Sequence, residues 1–273
     1  MQQPSKTRLT PTEIAPETFL IHDHQGEGVA PVVVALNSLV IRAAEPVVID
    51  TGMAESREQY LADVFSLVEP TDVRWVFISH DDVDHTGNVN ALMDACPNAT
   101  LIVNWFMTER MGASLAVPPT RQRWIDDGST FDVGDRTLLA LRPPIFDSPT
   151  TRGLFDPSTG FYWASDSFAT PMLAPNRDVD EIDEAFWTDG MHMFDQYVSP
   201  WVKIVDDAKF QATVDRVAAL HPTVMAGCHT PAIHGDRVAR ALATTRTTPT
   251  AVVPPEPDQA VLEQIQQSLT VAA

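Results

Sequence analysis

Two imidazoles and three carboxylates stand within six residues of the segment Ser79-His80-Asp81-Asp82-Val83-Asp84-His85-Thr86-Gly87-Asn88. Acids packed this closely repel one another unless a cation joins them. Nitrogen and oxygen donors at this density suit Zn, Fe or Mn. An acidic surface loop with two incidental histidines is the plainer reading. Directly ahead lies Val73-Arg74-Trp75-Val76-Phe77-Ile78, whose Val, Ile and aromatic content reads as a buried strand. The loop leaving that strand holds His80, Asp82, Asp84 and His85 at the rim of a sheet. Three more donor residues end apolar runs further along: Asp147 after Pro143-Pro144-Ile145-Phe146, Asp166 after Phe161-Tyr162-Trp163-Ala164-Ser165, and His229 after Val224-Met225-Ala226-Gly227-Cys228.

The spacing His-x-Asp-x-Asp-His resembles the metallo-β-lactamase superfamily motif, His-x-[His/Glu/Asp]-x-Asp-His. From His85 to Asp147, Asp147 to Asp166 and Asp166 to His229 the gaps are 62, 19 and 63 residues, close to those of the di-iron domain of flavodiiron proteins. Val47-Val48-Ile49-Asp50-Thr51-Gly52 also matches the superfamily's first strand and turn. The resemblance implies an α/β fold, an αββα sandwich of the metallo-β-lactamase type, and a centre of two metal ions. It assigns His80, Asp82 and Asp147 to metal 1 and Asp84, His85 and His229 to metal 2, with Asp166 bridging.

The ligands depart from the family in two places. Asp82 stands where zinc hydrolases commonly carry His and flavodiiron proteins Glu, and Asp147 replaces a third-ligand His. Oxygen-rich coordination favours iron or manganese over zinc. Four carboxylates neutralise two divalent ions, and such a shell lowers an iron reduction potential. Asp147 opens the turn-forming stretch Asp147-Ser148-Pro149-Thr150-Thr151-Arg152-Gly153, so capping a turn is the alternative to ligation. Arg152 either orients a substrate carboxylate or phosphate or pairs with Asp147 or Asp156.

The remaining histidines point less clearly to the centre. His22 and His24 read as a solvated loop, with a lid over the metals as the alternative. His234 reads as second shell or the start of a helix, and His221 as structural. Tyr197, in a segment comparable to one bordering the gas pocket of flavodiiron relatives, is a candidate hydrogen-bond donor to a bound ligand. Cys228 adjoins His229.

The 273 residues suffice for one metal-binding α/β domain over 1–248, followed by a Pro-rich crossing and helix over 249–273 packed on the core or on a partner subunit. Strands are expected over 32–42, 47–50, 101–104, 137–141, 160–164 and 223–226. Helices are expected from Ser56 (with Gln59 in a capping box) and over 87–95, 207–220, 236–245 and 259–269. The acidic stretch 178–190 reads as a solvated helix or a wall at the entrance. No apolar run approaches a membrane span of about 18 residues, and the start Met1-Gln2-Gln3-Pro4-Ser5-Lys6-Thr7-Arg8 lacks a secretory apolar region. Two cysteines, Cys96 and Cys228, give no disulfide framework and no CxxC pair, so a cytoplasmic setting is expected. A net charge of −19 disfavours nucleic acid and anionic membranes.

The chain stops where a flavodoxin domain would begin, so the resemblance implies a stand-alone di-iron protein that binds or reduces O2 or NO. Its electrons would come from an external flavoprotein or rubredoxin, and a homodimer is one further partnership left open. The alternative is a binuclear metal-dependent hydrolase of a lactone, thioester or phosphoester, in which the metals activate a bridging water. A single structural metal ranks last.

Overall fold

The computed structural model describes residues 6–28 and 30–271. Residues 1–5, the start of the segment read for a leader, and residues 272–273, the end of the expected C-terminal unit, lie outside it. In chain order the first half carries β1 (Thr12–Ala15), β2 (Thr18–Ile21), the short pair β3 (His24–Gln25) and β4 (Val34–Ala35), β5 (Ser38–Ile41), β6 (Val47–Ile49), β7 (Trp75–Phe77), β8 (Thr100–Val103) and β9 (Gln122–Trp124). The second half carries β10 (Thr130–Asp132), β11 (Thr137–Leu141), β12 (Gly153–Asp156), β13 (Phe161–Trp163), β14 (Val224–Gly227) and β15 (Thr230–His234). The helices are α1 (Arg57–Leu67), α2 (Val83–Thr86), α3 (Val89–Ala95), α4 (Trp105–Met111), α5 (Glu184–Val198), α6 (Asp207–Ala218), α7 (Asp236–Thr247) and α8 (Gln259–Val271). One sheet runs β1-β2-β5-β6-β7-β8-β9 and the other β10-β11-β12-β13-β14-β15.

Alternation along the strands builds the four layers. Leu39, Ile49, Phe77 and Ile102 of the first sheet face Leu138, Ala140, Phe161 and Trp163 of the second. Their chain neighbours Val40, Val48, Val76 and Leu101 point outward onto Tyr60 and Val64 of α1 and Leu92 and Met93 of α3. On the opposite side Tyr162, Met225 and Ile233 pack against Trp187 and Met191 of α5 and Val238 and Ala241 of α7. Because both faces of each sheet are covered, the central strands read as nearly unbroken apolar runs. Burying each large side chain contributes about 1.5–3 kcal/mol. This is the αββα sandwich of the metallo-β-lactamase type.

The strands β6, β7, β8 and β9 run parallel, as do β13 and β14. Their carboxyl ends, where ligands gather in open α/β sheets, therefore point the same way within each sheet.

Several local expectations are corrected. The strand over 32–42 breaks at Leu36 and Asn37, because the Asn37 amide donates to Gly227 O (3.2 Å) and Thr230 O (2.9 Å) and bolts this edge to the β14–β15 turn. Ser56 makes no side-chain cap, and α1 opens through a 3-10 turn, Ala54–Ser56. The acidic stretch is not a solvated helix. It forms a 3-10 turn, Val179–Glu181, capped by Asp178, and then enters α5, which buries Trp187, Met191 and Asp195.

Beyond the core, Gln196 donates to Thr248 O and Ala251 O, both at 2.8 Å, which holds the start of the Pro-rich crossing. The side chains from residue 259 to 267 of α8 are exposed rather than packed on the core. Among the described residues no helix is long and apolar enough to cross a membrane.

Candidate metal centre

Strand ends from both sheets deliver the donors. Beyond β7 come Ser79 and His80, and α2 begins at once, capped through Asp82 O by the His85 and Thr86 amides (3.1 and 3.0 Å). That single turn carries Asp84 and His85. The second sheet contributes Asp147 from the loop after β11, Asp166 after β13, and Cys228 and His229 from the β14–β15 turn. Gly227 is required there, since a Cβ would be driven into the Ser165 carbonyl oxygen.

The donor atoms fall into two groups. His80 Nε2 lies 3.8 Å from Asp82 Oδ2 and 3.7 Å from Asp147 Oδ1. Asp84 Oδ2 lies 3.6 Å from His85 Nε2 and 3.3 Å from His229 Nε2. Asp166 stands between the groups: its Oδ2 is 3.5 Å from both His80 Nε2 and His229 Nε2, and its Oδ1 is 3.1 Å from His85 Nε2. All seven residues expected as ligands are thus brought together.

A single buried carboxylate sets the ring orientations. Asp50 Oδ2 lies 2.9 Å from His85 Nδ1 and also accepts from Ser79 Oγ (2.7 Å) and Trp163 Nε1 (3.1 Å), while Asp50 Oδ1 accepts from the Ser79 amide (2.7 Å). A carboxylate only accepts, so His85 Nδ1 carries a proton and Nε2 faces inward, where it would give its lone pair to a metal once its own proton leaves. The chain continues outward. Ser165 Oγ donates to Ser79 Oγ (2.9 Å), which leaves Ser165 to accept from His80 Nδ1 (3.2 Å). His229 Nδ1 donates to Ala35 O at 2.8 Å. All three rings therefore aim Nε2 at the centre. Asp50 and Ser165 both sit at positive φ, 57° and 54°, a left-handed strain that non-glycine residues carry mainly at functional sites.

Burial opposes charge on His85, yet Cys228, Asp166 and Asp50 hold its pKa well above the ordinary imidazole range. His229 is raised likewise, against burial, by Cys228 and Asp166. Asp166 is held well below the carboxylate range despite burial, by His80, His229 and His85. Burial and the Asp166 charge push Asp147 up. Among the seven donor residues, four buried atoms nonetheless have no hydrogen-bond partner: His80 Nε2, His85 Nε2, Asp147 Oδ1 and Asp166 Oδ1. Orphaned buried donors and acceptors are costly, and here all four face shared space among nitrogen and oxygen ligands. The residues fit a pair of metal ions, whose entry would displace the imidazole protons.

The other candidates are placed elsewhere. Arg152 forms no ion pair with Asp147 or Asp156 among the described residues. Its Nη1 donates to Thr151 O (2.7 Å), and Asp156 is taken by Arg136. The cation beside the centre is Arg110 of α4, bound to Asp81 and close enough to Asp82 and Asp147 to feel their charge. Asp81 also accepts from Ser148 Oγ (3.1 Å) and Thr150 Oγ1 (2.6 Å), tying the His80 loop to the Asp147 loop.

Tyr197 does not serve the centre, because its hydroxyl donates to Pro254 O (2.9 Å) and Pro255 O (3.0 Å). The aromatic ring against His229 belongs to Phe194, at 5.3 Å. His22 and His24 are buried rather than solvated, against Thr12 Oγ1 (3.1 Å) and Glu27 (2.9 Å), and burial lowers the His22 pKa to about 4. His234 lies 3.3 Å from Asp178, away from the seven.

Comparison with known proteins agrees with this architecture. The anaerobic nitric oxide reductase flavorubredoxin of Salmonella typhi is 22% identical over 197 residues, which are 69% of this chain and 41% of that protein. Rubredoxin oxygen:oxidoreductase from Desulfovibrio gigas superposes with a TM-score of 0.75 at 18% identity, covering 87% of this chain and 61% of that one. The flavodiiron protein from Giardia intestinalis also gives 0.75, at 16% identity, covering 90% and 60%. At such identities the structural likeness concerns the fold. The chain spans less than half the length of the curated relatives it matches. A family model described as ODP family beta lactamase matches residues 33–230, and the chain belongs to that family.

Proposed function

We propose that this chain is a non-heme protein holding two iron ions that binds or reduces O2 or NO, with electrons supplied by an external flavoprotein or rubredoxin. The observation that carries the reading is Asp166 lodged between two donor groups, with buried, unpartnered His80 Nε2, His85 Nε2 and Asp147 Oδ1 around it. His80, Asp82 and Asp147 would hold one ion, Asp84, His85 and His229 the other, and Asp166 would bridge. The oxygen-rich set favours iron or manganese. Asp147 caps no backbone amide among the described residues, which supports ligation over a turn role. The activities in the names of the Salmonella and Desulfovibrio relatives, nitric oxide reductase and oxygen oxidoreductase, support a diatomic ligand.

Bound iron would relay the donor's electrons and offer the open coordination positions that the diatomic needs. The chain's own part is to orient and to screen. Asp50, through Ser79 and Ser165, fixes the tautomers of His85 and His80. Phe194 covers the His229 ring. The Asp82 side chain, half exposed beside Arg110, marks the rim open to a small ligand.

Elemental analysis of protein produced with iron and zinc both available, followed by anaerobic reduction and exposure to O2 or NO, tests the reading. Two irons per chain and reductant-dependent gas uptake are expected. Two zincs per chain, no gas response and metal-dependent hydrolysis of a lactone or phosphodiester would overturn it.

A further inference from the structure

Building on the binuclear reading above, we infer that Cys228 is a ligand of the second metal ion, bound as a thiolate beside Asp84, His85 and His229. One donor atom from each of these four residues lies within 4.8 Å of the other three. Cys228 Sγ is 3.7 Å from Asp84 Oδ2, which is itself 3.3 Å from His229 Nε2 and 3.6 Å from His85 Nε2. Metal–sulfur bonds of about 2.3 Å and metal–nitrogen or metal–oxygen bonds of about 2.0–2.2 Å place tetrahedral donors roughly 3.3–3.7 Å apart. The observed separations sit close to that range.

A second, independent observation points into the same space. His85 Nε2 is fully buried and has no hydrogen-bond partner. The backbone that carries the thiol is also fixed. Its residue is fully buried, its amide donates to Ser165 O (2.9 Å), and its carbonyl accepts from the Asn37 amide (2.9 Å). Gly227 and the β14–β15 turn hold it at this point in the chain. The competing account is a second ion held by Asp84, His85 and His229 without sulfur, beside a neutral thiol that donates a weak S–H bond to Asp84.

Ligation exchanges the S–H bond for a metal–sulfur bond and releases the proton to solvent, with no change of oxidation state. The centre then carries five anionic ligands, four carboxylates and one thiolate, against the four positive charges of two divalent ions. Its two positions also differ in kind. His80, Asp82 and Asp147 form a hard, oxygen-rich position, whereas the second position gains a soft sulfur and holds thiophilic ions better.

X-ray absorption at the metal edge tests this on the full chain, loaded in separate samples with Zn(II) and, under nitrogen, with Fe(II). Expected is a sulfur shell near 2.3 Å at about one sulfur per two metals, lost in Cys228→Ser and kept in Cys96→Ala. Two bound metals with only nitrogen and oxygen neighbours would overturn the thiolate and leave the binuclear reading standing. A sulfur shell that survives Cys228→Ser would overturn it as well. Failure to bind either metal would overturn both. If Cys228→Ser does not fold, the wild-type spectrum alone decides.

Discussion

Asp50→Asn probes the device that aims the rings. The wild-type carboxylate, fully buried, faces four donors: His85 Nδ1–H, the Ser79 hydroxyl and amide, and Trp163 Nε1–H. An amide keeps one accepting oxygen and adds two N–H groups, so one donor loses its acceptor if the oxygen takes the Oδ2 place and three if it takes the Oδ1 place. If the oxygen stays on the Ser79 amide, the new NH2 meets His85 Nδ1. The imidazole then relieves the clash by moving its proton to Nε2, and the nitrogen needed by a metal becomes a donor. His80 follows in part, because its proton position depends on the Ser165–Ser79–Asp50 chain. Replacing the outer partner of one metal-bound histidine typically costs 10–100-fold in affinity, about 1.4–2.7 kcal/mol. With two rings affected, the upper end is expected, about 100-fold. Unpaired buried donors should also lower the stability of the metal-free protein by about 1–3 kcal/mol. The assay is competition between apoprotein and a chromophoric chelator for Zn(II) or Fe(II), run alongside denaturant melts. Ser165→Ala, which cuts only the branch to His80, should weaken one site and spare the other. Affinity for both ions within twofold of wild type in a folded Asp50→Asn protein would refute the tautomer argument.

Three further outcomes follow from the geometry. Asp166→Ala should strip metal from both positions and Asp147→Ala from one, read as metals per chain after desalting; an Asp166→Ala protein with full metal content would dismiss the bridge. Asp195, buried on α5 with only the Thr248 hydroxyl on its Oδ2, has its carboxyl pushed up to about 8 by burial. Unfolded, it ionises near 3.8, so between those values the folded state keeps a proton that the unfolded state has lost, and stability falls as pH rises across that window. The fall is capped at roughly 6 kcal/mol, and Asp195→Asn should flatten it; denaturant melts at pH 4 and pH 8 with the same slope in both proteins would count against this. Tyr197→Phe removes the hydroxyl that holds Pro254 O and Pro255 O, at about 0.5–1.5 kcal/mol per bond. It should speed proteolysis near residues 251–258 without changing metal content, whereas metal loss would return Tyr197 to the centre.

What the sequence makes legible here is what is local along the chain. The imidazole–carboxylate run can be read because α2 starts directly after β7, so adjacency in sequence is adjacency in space. Asp166 and His229 can be read because each follows closely on a buried apolar strand, β13 and β14, whereas Asp147 comes from the loop after β11. The αββα layering follows from the doubly buried strands. What cannot be read is the set of contacts between segments. Trp163 reaches Asp50 across 113 positions and Ser165 reaches Ser79 across 86, with no periodicity to announce either. Arg152 stands near Asp147 in sequence, yet Arg110 supplies the cation, because α4 leaves β8 beside β7 and brings its last turn over Asp81. Tyr197 and Phe194 lie three residues apart on α5, and only the packed structure tells which ring meets His229 and which hydroxyl meets the Pro-rich crossing. Positive φ at Asp50 and Ser165 has no signature in residue type.

A centre this acidic raises the question of what holds it together before a metal arrives. The donors sit on strand ends from two sheets, so the energy that brings them together is that of the intersheet core, in which Ile49, Phe77, Phe161, Trp163 and Ala226 lie one to four residues from the site. That core is continuous and apolar and does not depend on the ligands. Asp166, held ionised by three imidazoles, lets the metal-free cluster exist as alternating charges rather than as bare acids. Metal binding would exchange the imidazole protons for cations. Because that core does not depend on the ligands, metal binding is expected to raise stability with free metal as a ligand does, unlike a small domain that is unfolded without its ion.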